Sequence, residues 1–305
     1  MPTQQRLKGR VALVTGAGNG IGKAVALQMA AEGAAVVVND LGTNVAGEGH
    51  SSGPADGTVT AILAAGGAAV ANYDSIAEHE GCRRAVACAT DTYGSCDIVI
   101  ANAGALSKTA QMGLASDDET WSQLVNLYLG QKFWLAREAL PAMLERGWGR
   151  IIFATSEIAR GTQKNPLGAA VLSGGIAMMR DLAMTHLGCG VTFNCYAPSA
   201  ATRTYEMYME QIEAGLITGK DREQLLSLPR LAGPEYVAPM IAWLCSDAAA
   251  LVTGEVFSLG GGSICQWTRA QDGVRLVKVD GGGPGLWTLD ELGEQLPIHL
   301  APSAA

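Results

Sequence analysis

Thr15-Gly16-Ala17-Gly18-Asn19-Gly20-Ile21-Gly22 decides the fold of this 305-residue chain. The octet follows the apolar run Val11–Thr15 and opens a helical pattern over 20–32. Gly16 permits a sharp turn out of the strand, Gly20 lets backbone approach a pyrophosphate, and Gly22 lets the helix pack close to the sheet. Phosphates then meet the free N–H groups and the positive dipole end of that helix, with Thr15, Asn19 and Ile21 completing the turn. A glycine turn alone is a weak signal in a chain with 39 glycines. The strand before it, the helix after it and Asp40 downstream make it specific.

Asp40 ends the second apolar run, Ala35–Asp40, where a carboxylate would bind the adenosine ribose hydroxyls. A carboxylate there repels a 2′-phosphate, and no arginine replaces or directly follows it, so the pattern favours NAD over NADP. Its structural alternative is a cap on the following turn. Asp74, ending Ala69–Asp74, has two readings as well: a contact to the adenine amino group, or a solvated turn.

Working outward, short apolar runs alternate with helical patterns. Strands are expected at Val11–Thr15, Ala35–Asp40, Ala69–Asp74, Asp97–Ala101, Arg150–Thr155, Val191–Ala197 and Glu255–Leu259. Helices are expected over 20–32, 56–65, 78–93, 117–146, 167–187 and 234–246. Most of the strands lack polar alternation, as strands covered on both faces do. The pattern predicts an α/β chain of Rossmann type: a doubly wound, seven-stranded parallel sheet with helices on both faces. Residues 1–267 form that domain, interrupted by a Gly/Ser/Asn-rich insertion at 41–57. Residues 268–305 form a short C-terminal extension expected to pack on the core or on a neighbouring subunit. It reads as a strand at Val274–Val279, a break at Gly281–Gly285, and a helix opened by a capping box between Thr288 and Glu291.

Composition narrows the function classes. Apolar residues make up 48% and charged residues 16%, which suits a globular domain. The net charge of −8, without a basic stripe, argues against nucleic acid. The first ten residues are polar, and no stretch approaches the roughly eighteen uninterrupted apolar residues of a membrane span, so a cytoplasmic protein is expected. Seven cysteines lie scattered without CxxC or histidine pairing, which reads as reduced thiols and no metal site.

The motifs together resemble the short-chain dehydrogenase/reductase family. Thr15, Gly16, Gly20 and Gly22 match its TGxxxGxG pattern, and Ala101-Asn102-Ala103-Gly104 matches its NNAG motif. Asn126 matches the active-site asparagine, Pro198-Ser199 loosely matches a later PG turn, and Thr202 matches the threonine near the nicotinamide carboxamide. The resemblance runs from about residue 7 to 265. Within the family the chain looks most like the 3-hydroxyacyl-CoA dehydrogenase domains of peroxisomal multifunctional β-oxidation enzymes. The carriers are Val36-Val37-Val38-Asn39-Asp40-Leu41-Gly42, Ala71-Asn72-Tyr73-Asp74-Ser75 and Pro234-Glu235-Tyr236-Val237-Ala238-Pro239. The resemblance implies NAD, a small-molecule substrate such as an acyl-CoA or sterol-like thioester, and a homodimer or homotetramer.

One part of the family pattern is absent. A tyrosine should exchange a proton with the substrate oxygen and a lysine should hold the ribose, in a Tyr-x-x-x-Lys pair. Aligning on Arg180-Asp181-Leu182-Ala183 puts Gly168 and Leu172 there; aligning on the preceding strand puts Ala170 and Gly174. Neither register supplies the pair. The family's serine matches Ser156, or Thr155 in a shifted register. Glu157 could enter the cleft or be salt-bridged; Tyr205 and Tyr208 could reach substrate from a lid or pack within it. Tyr196, Lys164 and Ser173 are further candidates with blander core or solvent roles. The expected catalytic set is therefore Asn126, Ser156, Glu157 and Tyr205. Two functions follow: an oxidoreductase with an unusual proton donor, or an NAD-binding member that regulates an active partner.

Overall fold

The seven apolar runs expected as strands of the Rossmann-type domain lie in one sheet, in the order β3-β2-β1-β4-β5-β6-β7-β8. The computed structural model describes residues 5–45, 47–104, 116–161, 165–216, 218–219, 231–269, 275–280 and 283–299. They divide into two compact units, 1–267 and 268–305.

In the larger unit the strands are β1 (Val11–Thr15), β2 (Ala35–Asn39), β3 (Ala68–Asn72), β4 (Ile98–Ala101), β5 (Gly149–Ala154), β6 (Val191–Pro198), β7 (Glu255–Gly260) and β8 (Ser263–Gln266). The first seven pair in parallel. The sheet therefore has eight strands, not the expected seven, because β8 returns antiparallel to β7. Gly260 pairs with Ser263 across Gly261 and Gly262, whose φ values of +55° and +84° suit a two-residue hairpin turn. The glycine triplet reads in sequence as an end and acts in space as a reversal.

The helices are α1 (Gly20–Ala31), α2 (Gly53–Ala64), α3 (His79–Tyr93), α4 (Asp118–Val125), α5 (Gln131–Arg146), α6 (Pro166–Thr185), α7 (Arg203–Glu213) and α8 (Ala238–Leu244). They cover the sheet on both faces. Val25, Met29, Ile62 and Ile241 join Val14, Val36 and Ile100 in one apolar cluster. Cys82, Leu135, Met143, Ile176 and Met179 join Leu13, Val37 and Phe193 in the other. Two expected helices are interrupted. The run at 117–146 contains a π turn, Asn126–Gly130, between α4 and α5. The run at 234–246 is a short turn at Pro234–Tyr236 followed by α8.

One helix, α6, is long and apolar enough by length and composition to cross a membrane, although Arg180 and Asp181 interrupt its apolar run. Its apolar residues have a closer use. Leu167, Val171, Leu172, Ile176, Met179 and Ala183 are buried on the helix's inward face, so α6 is read as a core helix.

In the smaller unit residue 274 of the expected strand lies outside the described residues, and of 275–279 Val279 joins the two-residue β9 (Val279–Asp280), paired with β10 (Gly283–Pro284). A helix, α9 (Leu289–His299), follows. Its capping box forms as read: the Thr288 N–H donates to Glu291 Oε2 at 2.8 Å and the Glu291 N–H donates to Thr288 Oγ1 at 3.2 Å.

Candidate active site

The chain runs outward from β1 through β2 to β3, then crosses back to β4, so the strand order reverses beside β1. Open α/β sheets bind ligands at that reversal, outside the carboxyl ends of the strands. The glycine turn stands there. Gly16 takes φ +63° and Gly20 φ +52°, backbone that side chains disfavour. A Cβ on Gly22 would lie 2.1 Å from the Gly16 carbonyl oxygen, so α1 seats on the turn only with glycine at 22. Position 18 is equally constrained and was not singled out in the sequence: a Cβ there would lie 2.6 Å from Pro54 Cβ and 2.7 Å from Asp40 Oδ2.

Asp40 holds this turn from β2. Its Oδ2 accepts the Gly18 N–H at 2.7 Å and its Oδ1 accepts the Gly42 N–H at 2.7 Å. The turn-capping alternative is thus present in the structure. It does not compete with a ribose role, because each carboxylate oxygen keeps a second lone pair for a hydroxyl donor. Asp74 is engaged otherwise: Arg84 Nε donates to it at 2.6 Å and Asn72 Nδ2 at 2.7 Å.

The segment after β4 is bound to the same turn. Thr15 Oγ1 accepts the N–H groups of Asn102 and Ala103, each at 3.0 Å. Asn102 Nδ2 donates to the Thr15 carbonyl at 2.9 Å, and Tyr196 Oη donates to Asn102 Oδ1 at 2.7 Å. Asn102 therefore ties β1, β4 and β6 together. Tyr196 is fully buried and its phenol is pushed well above its ordinary pKa by burial, so it serves as a structural donor and not as a catalytic acid. Asn102→Ala leaves that phenol without its acceptor in the core. The expected cost is about 1–3 kcal/mol, read as a lowered urea midpoint with unchanged slope. Thr202 precedes α7 at its N-cap position without a side-chain cap bond, with Cγ2 3.4 Å from the Cβ position of Gly20, and Pro198 ends β6.

The expected catalytic residues fare unevenly. Ser156 is half-buried after β5, its Oγ accepting the Ile158 N–H at 3.3 Å. The Thr155 hydroxyl next to it is buried and without a hydrogen-bond partner. Glu157 is spent on other groups: Arg160 Nε donates to it at 2.6 Å and Ser258 Oγ donates to its other oxygen. Ser258 also accepts Trp267 Nε1–H at 2.6 Å, and Arg160 lies 3.8 Å over the Trp267 ring, so Glu157 belongs to a clamp on β7. Tyr205 is half-buried in the first turn of α7. Ser173 donates to the Ala159 carbonyl at 2.8 Å. Lys164 and the side chain of Tyr208 lie outside the described residues. On α6, Gly168 and Leu172 are both buried on the inward face, whereas Ala170 is exposed, so the first register is the one that faces the core.

The π turn alters the remaining site residue. Asn126 opens it and is exposed, and Tyr128, two residues on, is the buried residue of the turn. Gln131 and Lys132 follow on the inward face, with 1% and 2% exposure. Gln131 Nε2 donates to the Ala103 carbonyl at 2.7 Å and its Oε1 lies 3.2 Å from Thr15 Oγ1. Lys132 Nζ donates to the Tyr128 carbonyl. Burial lowers the Lys132 ammonium to about 8. The sequence did carry a signal: Lys132 stands three, four and seven residues before Leu135, Ala136 and Ala139, in phase with the buried stripe.

A family model described as enoyl-(acyl carrier protein) reductase matches residues 16–263. The chain is 35% identical over 275 residues to the peroxisomal multifunctional enzyme type 2 of Mus musculus, covering 88% of this chain and 34% of that enzyme. It thus spans about a third of the length of that relative. Among solved structures, a short chain dehydrogenase from Mycobacterium avium superposes with a TM-score of 0.74 at 29% identity, covering 98% of this chain and 97% of that one. A 7α-hydroxysteroid dehydrogenase complexed with NADH and 7-oxoglycochenodeoxycholic acid superposes with a TM-score of 0.72 at 26% identity, covering 86% and 97%. The glycine turn at the sheet's reversal, the Asn102 tie and a family match over most of the chain lead to one assignment: the protein belongs to the short-chain dehydrogenase/reductase family.

Proposed function

We infer that the protein is an NAD-dependent oxidoreductase that interconverts a hydroxyl and a carbonyl on an acyl-CoA or sterol-like substrate. The observation that carries this reading is the Asp40 carboxylate, 2.7 Å from the Gly18 N–H of the glycine turn. That geometry presents two carboxylate oxygens where ribose hydroxyls would donate and where a 2′-phosphate would be repelled. The residues present fit NAD: Gly16, Gly20 and Gly22 leave a cradle that a Cβ would fill or strain, α1 offers its N-terminus to phosphate, and Thr202 stands over Gly20. When bound, NAD supplies the hydride acceptor. The chain's own residues would hold its two ends, and Ser156 just after β5 would orient the substrate oxygen.

The substrate class is taken from the relatives, one named for multifunctional peroxisomal chemistry and one complexed with an oxidised bile acid. Turnover of a panel of 3-hydroxyacyl-CoA and hydroxysteroid substrates, followed at 340 nm, tests it. NADH formation with any of them supports the reading, and none with NAD bound favours the second one. That second reading is a catalytically silent NAD-binding partner, and the burial of Gly168 and Leu172 in place of a tyrosine and a lysine favours it.

Replacing Asp40 by alanine removes both the ribose acceptor and the anchor of Gly18. The expected result is a fall in NAD affinity of about ten- to a hundredfold, with NADP affinity rising relative to NAD. Competition titration with both nucleotides reads it. Exposed Trp121, Phe133, Met184 and Leu187 on α4, α5, α6 and the turn after α6 support a homodimer or homotetramer. Sedimentation at micromolar concentration tests that state. All seven cysteines are free thiols, which suits the cytoplasmic placement.

A further inference from the structure

At the positions facing the core, α6 presents Gly168 and Leu172 and therefore nothing that can give or take a proton. The helix packed against it does. Tyr128 and Lys132 stand four residues apart across the π turn and the first turn of α5. The Tyr128 ring packs in one cluster with Leu124, Leu167, Val171 and Leu172, on the face of α6 where Gly168 and Leu172 lie. Its Cε1 lies 3.0 Å and its Oη 3.3 Å from the Cβ position of Gly104, at the end of the segment that Thr15 binds to the glycine turn. Lys132 is almost fully buried, and its Nζ donates to the Tyr128 carbonyl. Its Cδ lies 3.0 Å from the Cβ position of Gly175, so glycine at 104 and at 175 makes room for both side chains.

From these contacts we propose that Tyr128 is the proton donor and acceptor at the substrate oxygen, with Lys132 the residue that positions it. The pair rests on the oxidoreductase reading above and supplies the group that reading lacks. In the reducing direction the carbonyl carbon takes a hydride from NADH while the carbonyl oxygen takes the proton of the Tyr128 phenol. The C=O π bond gives way to a C–H and an O–H bond, the carbonyl compound is reduced, and NADH is oxidised to NAD. The phenolate left behind regains its proton from solvent. Lys132 acts through Tyr128: it holds the carbonyl of the π turn and so fixes the backbone from which the phenol projects. The other titratable groups near its ammonium are the Cys195 thiol of β6 and, beyond it, Arg180 of α6.

The test uses the full chain, with tyrosinate absorbance at 295 nm followed against pH in the presence of NAD and of NADH. A phenol beside the nicotinamide meets a positive ring in NAD and a neutral one in NADH. One tyrosine should therefore titrate about one to three pH units lower with NAD, the size of a close opposite charge. That step should vanish in Tyr128→Phe, which keeps the ring packing, and move to higher pH in Lys132→Met. Where the wild type turns over, Tyr128→Phe should lower kcat by about 10²–10⁴-fold with KM little changed. Calorimetry on the same samples separates the failures. No nucleotide binding by wild type overturns the cofactor reading and the pair with it. Binding with a nucleotide-sensitive step that persists in Tyr128→Phe, or with no such step in wild type, overturns the pair alone.

Discussion

Lys132→Met should make the protein more stable at pH 7, by about 2 kcal/mol. In the unfolded chain the ammonium titrates at 10.5, and burial lowers it to about 8 in the fold. That difference corresponds to about 3 kcal/mol of penalty for holding the charge inside. Removing the Nζ bond to the Tyr128 carbonyl returns about 1 kcal/mol of it. The sign fixes the pH window. Between about 8 and 10.5 the unfolded chain binds the extra proton, so wild-type stability rises with pH there. The advantage of Lys132→Met should be full at and below about pH 8 and fade as pH climbs towards 10.5. Thermal melts at pH 7 and pH 10 would show it, with a gain of roughly 5 °C at the lower pH. Equal melting at both pH values would mean that Lys132 is not a buried cation. A residue that costs stability in the core is the kind kept for chemistry, which is why its position beside Tyr128 counts.

Gly22→Ala should have the opposite character, damaging both fold and cofactor site. The added methyl would lie 2.1 Å from the Gly16 carbonyl oxygen and 2.6 Å from Asn102 Nδ2. Neither is the free end of a flexible side chain: one is backbone, and the other is held by the Thr15 carbonyl. Helix α1 must then lift from the turn, which costs about 1–3 kcal/mol as overpacking. Lifting also carries the helix N-terminus away from the phosphates it would hold, so NADH affinity should fall by at least about a hundredfold. Urea denaturation and fluorescence titration with NADH read the two effects. An alanine variant that binds NADH as wild type does would show that the turn does not seat the pyrophosphate.

The glycine octet and the apolar runs made most of the sheet legible, because buried parallel strands write themselves as continuous apolar stretches. β8 was not, since Ser263–Gln266 is an exposed edge strand with no such stretch. The Val274–Val279 run looked like a strand by composition alone, yet among its described residues, 275–279, Val279 alone joins a strand pair. Within the site, Gly16, Gly22 and Asp40 could be read because their chemistry is local to the turn. Gly18 could not, because its constraint comes from Pro54 and Asp40, far along the chain. For Glu157 the salt-bridged alternative was legible, with Arg160 three residues on, but its bond from Ser258, 101 positions away, was not. Lys132 could be placed by its phase with the buried stripe of α5, whereas Tyr128 was hidden. The π turn rotates the helix so that Tyr128 faces in, and a regular helical period does not show that insertion.

Calorimetric titration of the wild-type chain with NAD, NADH and NADPH tests the account most directly. It predicts one site per chain for NAD and NADH, with NADPH weaker because the Asp40 carboxylate meets its 2′-phosphate. Absence of binding by NAD and NADH, or tighter binding of NADPH, would contradict it.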